Sequence, residues 1–316
     1  MKVVQPSSLT KLIRTNYTSL MKRRIRKILM ICSSYDAYIL EEDGQIEAQL
    51  YREYIELNIS NPPALTWVNS TEEAVSLLEK NPDFDLIISM FNIRDFDIFT
   101  QAKHIRERWS GIPIVMLTNF SKELFRKIET TDHSAIDHIF TWNGNADLIL
   151  AIVKLLEDKM NADDDILGSG VQAILLVEDS IRYYSTYLPA IYKLVLKQSA
   201  EFLKEALNEQ QMKMRKRARP KILLATNYEE AMEMYTKYKK NLLGVISDVG
   251  FVLHKGDSPD TEKLDAGIEL CRYIKQDIPQ MPIILQSSQG SVAETAREMG
   301  VGFIEKYSST LLIQLA

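Results

Sequence analysis

Short apolar runs recur along the chain, separated by longer stretches whose apolar residues fall at helical spacing. In the first half the runs are Ile28-Leu29-Met30-Ile31, Leu65-Thr66-Trp67-Val68, Leu86-Ile87-Ile88, Ile112-Pro113-Ile114-Val115-Met116-Leu117 and Ile139-Phe140. In the second half they are Ile174-Leu175-Leu176-Val177, Ile222-Leu223-Leu224-Ala225, Val245-Ile246, Pro282-Ile283-Ile284-Leu285 and Phe303-Ile304. Runs this short, rich in Ile and Val and without polar alternation, predict strands buried on both faces. Ala74, Leu77 and Leu78, or Ala231, Met232 and Tyr235, mark helices between them. Strand–helix alternation implies parallel sheets covered on both sides. The expectation is an α/β protein with two tandem, doubly wound, five-stranded domains.

The halves also correspond in detail. Asn69-Ser70-Thr71-Glu72-Glu73-Ala74 answers Thr226-Asn227-Tyr228-Glu229-Glu230-Ala231, and Ile87-Ile88-Ser89 answers Val245-Ile246-Ser247. Ser70 with Glu73, and Asn227 with Glu230, have capping-box spacing. The organisation predicted is an N-terminal extension over 1–26, a first domain over 27–160, a linker over 161–171 and a second domain over 172–316. The linker expectation rests on the polar, turn-prone Asn161-Ala162-Asp163-Asp164-Asp165 and Gly168-Ser169-Gly170. Gly-Ser-Gly precedes a strand instead of following one, which argues against a phosphate loop. The last helix stops on Leu311-Leu312-Ile313-Gln314-Leu315-Ala316, so the chain is expected to be a piece of a longer protein.

The 316 residues suit two domains of roughly 150 residues. An apolar share of 46% argues against disorder, and a net charge of −5 gives no reason to expect nucleic-acid binding. Two separated cysteines, Cys32 and Cys271, indicate neither a metal cluster nor a disulfide framework. His104, His133, His138 and His254 lack metal-ligand spacing. No signal-peptide core and no apolar run of ~20 residues occurs, so a cytoplasmic protein without a membrane span is expected.

In open parallel sheets, functional groups collect at the carboxyl ends of strands. In the second half those ends carry Glu178-Asp179, Asp248, Ser287 and Lys306. Three carboxylates with one lysine and one hydroxyl suit a hard divalent cation and a phosphoryl group. Asp248 could act as nucleophile, forming an acyl phosphate, with Lys306 pairing the phosphoryl charge and Ser287 hydrogen-bonding one oxygen.

The motifs Leu175-Leu176-Val177-Glu178-Asp179-Ser180, Val245-Ile246-Ser247-Asp248, Pro282-Ile283-Ile284-Leu285-Gln286-Ser287 and Phe303-Ile304-Glu305-Lys306 resemble those of CheY-like receiver domains of two-component signalling. The resemblance implies a flavodoxin-like fold, with phosphotransfer from a histidine kinase or phosphotransfer protein to Asp248. It also implies Mg2+ held by Glu178, Asp179, Asp248 and the Gly250 carbonyl, with Ser287 and Phe303 as the switch. Such a domain is a regulatory phosphoacceptor and not itself an enzyme. Three departures stand out. Tyr307 replaces the usual proline, the loop after Asp248 runs through Lys255-Gly256-Asp257-Ser258-Pro259-Asp260, and the first helix is extended from about Ser180 to Arg217.

Aligned in the same way, the first half places Cys32-Ser33 at the acid pair, Met90 at the acceptor and Thr141 at the lysine, and keeps only Thr118 at the Ser287 position. Asp95 and Asp97 fall beyond the strand end. This half resembles a pseudo-receiver, expected to bind the second domain, another copy as a homodimer, or a partner. The basic runs Met212 to Lys221 and Lys22 to Lys27 are expected to be solvated helix or strand ends. Tyr183, Tyr184, Tyr187 and Tyr192 on the long helix are expected to pack in a core or interface.

A narrower resemblance rests on Glu41 to Glu47, Glu178 to Pro189, Arg219 to Ala225 and Leu242 to Asp248. These segments are similar to N-terminal regions preceding phosphoenolpyruvate synthase or pyruvate phosphate dikinase-type catalytic domains, which implies an output domain of that kind. Two rivals stand beside the receiver. One is a phosphorylation-independent scaffold with a vestigial acidic pocket. The other is an aspartyl phosphatase, against which Gly250 stands where a second aspartate would serve as general acid.

Overall fold

The computed structural model describes residues 20–33, 46–57, 59, 61–90, 98–118, 131–142, 144, 146–203 and 217–306. Asp95, Asp97, Tyr307 and the 311–316 end lie outside the described residues. β1 (Lys27–Ile31), β2 (Ala64–Val68), β3 (Leu86–Met90), β4 (Ile114–Thr118) and β5 (His138–Thr141) form one sheet, in the order β2-β1-β3-β4-β5. β6 (Ala173–Val177), β7 (Lys221–Ala225), β8 (Leu242–Asp248), β9 (Ile283–Ser287) and β10 (Gly302–Glu305) form a second, in the order β7-β6-β8-β9-β10. Every pairing is parallel, and each strand overlaps one of the ten apolar runs. Both sheets share one doubly wound topology. The order reverses beside β1 and β6, where the crevice for a ligand opens at the strands' carboxyl ends.

The helices are α1 (Ile46–Glu56), α2 (Thr71–Lys80), α3 (Ile98–Arg108), α4 (Ala146–Ala162), α5 (Ile181–Leu203), α6 (Tyr228–Tyr238), α7 (Ala266–Asp277) and α8 (Val292–Glu298). Among the described residues, no helix is long and apolar enough to cross a membrane. The two expected caps form. The Glu73 amide donates to Ser70 Oγ at 3.2 Å, and the Glu230 amide donates to Asn227 Oδ1 at 2.9 Å. The glutamates reach back one residue beyond the cap, accepting from Asn69 N at 2.8 Å and Thr226 N at 3.0 Å. Each satisfies one more amide of the entering chain.

The sheets are joined by helices and not merely by a tether. In α4, Leu148, Ile149, Leu150, Ala151, Ile152, Val153, Leu155 and Leu156 are all buried. Lys154, Glu157 and Asp158 are buried with them, so the helix is covered on every side. It packs against α1, α5 and β7, so one hydrophobic core draws residues from both sheets. α5 crosses in the other direction, with Tyr184 donating to the Ile139 carbonyl and Ser185 Oγ accepting from Thr141 N at 3.0 Å.

Two expectations are corrected here. The stretch 161–171 is not an open linker: helix continues from α4 through a wider turn at Asp163–Leu167, and Asp165 and Ile166 are buried. Asp165 there, and Asp158 within α4, stay buried because they have cationic partners. Lys221 Nζ lies 2.7 Å from Asp165 Oδ2, and Arg219 donates to both oxygens of Asp158, at 2.8 and 2.9 Å. The end of the second basic run is therefore not solvated: Arg219 is 4% exposed and Lys221 0%. Asp158 also accepts from Tyr192 Oη at 2.9 Å and Ile222 N at 3.0 Å. Burial pushes its carboxyl up, but Arg219 and Lys221 outweigh that and hold it below its ordinary value. The rest of that run, and the continuation of α5 toward Arg217, fall partly in 204–216, outside the described residues. In the first run, Lys22, Arg23 and Arg26 are exposed as expected, whereas Ile25 is buried.

Candidate functional site

Side-chain alternation along the strands explains which groups meet. Leu176 on β6, Ile246 on β8 and Ile304 on β10 face the core shared with α5, and Ile284 on β9 packs against it. Two residues further along each strand, on the same face, come Glu178, Asp248, Lys306 and Gln286. Asp248 and Gln286 are direct cross-strand partners.

Carboxylate oxygens of Glu178, Asp179 and Asp248 lie within 4.8 Å of one another. Lys306 Nζ is 2.5 Å from Asp248 Oδ2, 2.9 Å from Glu178 Oε2 and 3.1 Å from Glu178 Oε1. Its other side faces the Tyr183 ring, 4.0 Å from the centroid, which favours a cation further. Backbone amides complete the frame: Val249 N donates to Asp248 Oδ1 at 2.7 Å, Ser180 N to Glu178 Oε1 at 3.2 Å and Val252 N to Asp179 Oδ2 at 3.2 Å.

This pocket is short of positive charge. Burial, then Asp248, pushes Glu178 well above its ordinary value against the pull of Lys306. Burial and then Asp248 push Asp179 up to about 7. Burial lowers Lys306, but Glu178 and Asp248 outweigh it and its pKa is raised. Glu178 is 0% exposed, and its Oε2, although ion-paired, accepts no hydrogen bond among the described residues. An all-oxygen set of crowded carboxylates fits a hard divalent cation, which would relieve this repulsion.

Of the residues singled out from the sequence, Glu178, Asp179, Asp248 and Lys306 converge. Ser287 stands at the end of β9, where its carbonyl accepts from Lys306 N at 3.0 Å and its hydroxyl accepts from Gln289 N at 3.0 Å. Phe303 packs against the core on the other side of the second sheet, away from the Lys306 face. Gly250 follows Asp248 by two residues, and a Cβ there would lie 2.2 Å from Glu262 Oε1.

Three residues at the site were not found from the sequence. The sequence pattern around Tyr183 points only to helix packing, and nothing local ties Glu262 to the pocket. Gln286 did leave a trace, as a polar residue ending an apolar run. It is 1% exposed, and neither amide atom has a hydrogen-bond partner among the described residues.

The first sheet presents a different set at the equivalent ends. Cys32 N donates to the Val68 carbonyl as Glu178 N does to that of Ala225, so Cys32 and Ser33 occupy the acid-pair positions. Met90 pairs with Leu117 as Asp248 pairs with Gln286. The lysine position needs correction by one residue. Trp142 N donates to the Thr118 carbonyl as Lys306 N does to Ser287, so Trp142, not Thr141, is the counterpart of Lys306. The slip arises because the last strand's end is set by its pairing with β4, which the run Ile139-Phe140 does not reveal.

No protein-family model matches the chain. No curated protein matches it either. Among solved structures, the chain is similar to two described as two-component system response regulator/GGDEF domain proteins. Each is 14% identical and covers 92% of this chain and 95% of that one, with TM-scores of 0.36 and 0.34. It is also similar, at 11% identity and a TM-score of 0.25, to a glucose-galactose binding protein from Geobacillus stearothermophilus, over 93% of this chain and 90% of that one. Likeness at these levels says nothing about function, which rests on the pocket's own geometry.

Proposed function

We propose that the second half is a phospho-accepting receiver module of two-component signalling, with Asp248 as the acceptor. The observation that carries this is the convergence of Glu178, Asp248 and Lys306 at the carboxyl ends of β6, β8 and β10 of one parallel sheet, with Asp179 beside them. In the proposed reaction an Asp248 oxygen attacks the phosphorus of a histidine kinase or phosphotransfer protein's phosphohistidine. The P–O bond forms as the P–N bond breaks, and the imidazole leaves with the electron pair and takes up a proton. Lys306 turns from the carboxylates to the phosphoryl oxygens, and the Ser287 hydroxyl donates to one of them. Glu178, Asp179, Asp248 and the Gly250 carbonyl would hold Mg2+. The cation supplies neutralisation of the carboxylates and of the incoming phosphoryl charge. The switch would run through Ser287 and Phe303.

The module is a regulatory phosphoacceptor and not itself an enzyme, acting in the cytoplasm on a downstream domain, for which the phosphoenolpyruvate synthase-like resemblance is the candidate. The first half serves as a pseudo-receiver for docking. Beryllofluoride, which mimics an acyl phosphate, tests the pocket directly. Saturable binding that needs Mg2+ and disappears in Asp248→Asn supports the proposal. Binding that survives Asp248→Asn contradicts it.

A further inference from the structure

The loop that follows Asp248 is a hairpin and not a slack excursion. Phe251 and Lys263 form an antiparallel bridge, Phe251 N donating to the Lys263 carbonyl at 3.3 Å and Lys263 N to the Phe251 carbonyl at 3.1 Å. Phe251 is fully buried and anchors the hairpin in the core of the second sheet. That register sets Gly250 opposite Leu264 and Glu262 opposite Val252, so the Glu262 side chain reaches Gly250 diagonally across the hairpin. A Cβ on Gly250 would stand 2.2 Å from Glu262 Oε1 and 3.2 Å from its Cδ. Gly250 has no left-handed backbone to explain it. A Cβ there would push the Glu262 carboxylate, the free end of a flexible side chain, out of its place over the residue. Glu262 is also close enough to exchange charge repulsion with both Asp248 and Asp179.

The pocket floor gives a second, independent sign of a ligand. Gln286, 1% exposed and paired across the sheet with Asp248, keeps both amide atoms without a hydrogen-bond partner among the described residues. A buried amide left in that state calls for a group that the protein alone does not supply.

We infer, resting on the receiver reading above, that Glu262 is a fourth carboxylate for the divalent cation of this pocket, delivered by the hairpin beside the Gly250 carbonyl. Its presence strengthens cation binding. It also leaves one carboxylate charge uncompensated by the cation and Lys306, so it opposes entry of the phosphoryl anion. The hairpin thus sets the pocket to be loaded with metal first and phosphorylated slowly.

The test is Mg2+ binding by isothermal titration calorimetry on the full chain, with the rate of phosphoryl adduct formation from acetyl phosphate at saturating Mg2+. Glu262→Gln is expected to weaken Mg2+ by about tenfold and to raise the phosphorylation rate. Gly250→Ala, which keeps the charge but displaces the carboxylate, is expected to weaken Mg2+ similarly. A structural role alone would lower both readouts together. Mg2+ affinity in Glu262→Gln within about twofold of wild type, while Asp179→Asn abolishes binding, overturns the inference and leaves the receiver reading standing. A wild-type chain that takes up no Mg2+ overturns both.

Discussion

Asp179 shows what the pocket costs the protein. Burial first, and Asp248 second, push its carboxyl from an ordinary 3.8 up to about 7. The folded chain then keeps a proton that the unfolded chain has already released. Stability therefore falls as pH rises from about 4 to about 7, and the penalty is fully present above that window. Without divalent cation, thermal melts are expected to show this loss between about pH 4 and pH 7. Asp179→Asn removes it, a gain at pH 8 on the order of 1–3 kcal/mol. Mg2+ is expected to raise the wild-type Tm more at pH 8 than at pH 5, and an equal effect at both would contradict this assignment. At this scale the sequence was legible where chemistry follows strand ends. Glu178, Asp248 and Lys306 sit two residues past Leu176, Ile246 and Ile304, apolar positions of one sheet face, a relation that alternation alone predicts. Tyr183 and Glu262 were not legible, because a helix and a hairpin carry them in from elsewhere and no local pattern records where they land.

At the level of elements, α7 meets β8 through glycine. A Cβ on Gly267 would lie 2.0 Å from the Asp248 carbonyl oxygen, and Gly267 N donates to the Val249 carbonyl at 2.8 Å. The obstacle is backbone, so the helix itself must move away from the acceptor strand. Gly267→Ala is expected to cost about 1–3 kcal/mol in urea unfolding and to weaken Mg2+ binding, because Asp248 moves with its strand. Gly290→Ala, with nothing within 4 Å of the added carbon, serves as the neutral comparison. All ten strands were legible as short Ile- and Val-rich runs. The environment of α4 was less so, because Lys154, Glu157 and Asp158 are buried in it beside the apolar residues. Asp165, which follows it, suggested solvent only because its partner Lys221 is distant in sequence.

Across the whole molecule, the two sheets behave as one body because α4 and α5 belong to both. Asp158, on α4 of the first half, holds Arg219 and lies 3.7 Å from Lys221 of the second, with none of the three more than 4% exposed. Removing that charge leaves buried cations uncompensated. Asp158→Asn is expected to destabilise the chain by roughly 3–5 kcal/mol. Wild type is expected to unfold in one calorimetric transition, whereas two transitions would mean that the halves are stable separately. A shared core also gives the pocket a route to the first half. α5 begins next to the Glu178-Asp179 pair, carries Tyr183 against Lys306, and bonds β5 through Tyr184 and Ser185.

The claim that Asp248 accepts a phosphoryl group is tested most directly by intact mass after incubation of the full chain with acetyl phosphate and Mg2+, wild type beside Asp248→Asn. A single Mg2+-dependent, hydroxylamine-labile adduct on wild type alone is the predicted result. No adduct on wild type, or an equal adduct on Asp248→Asn, would contradict the phosphoacceptor account and leave the protein a binding scaffold with a vestigial acidic pocket.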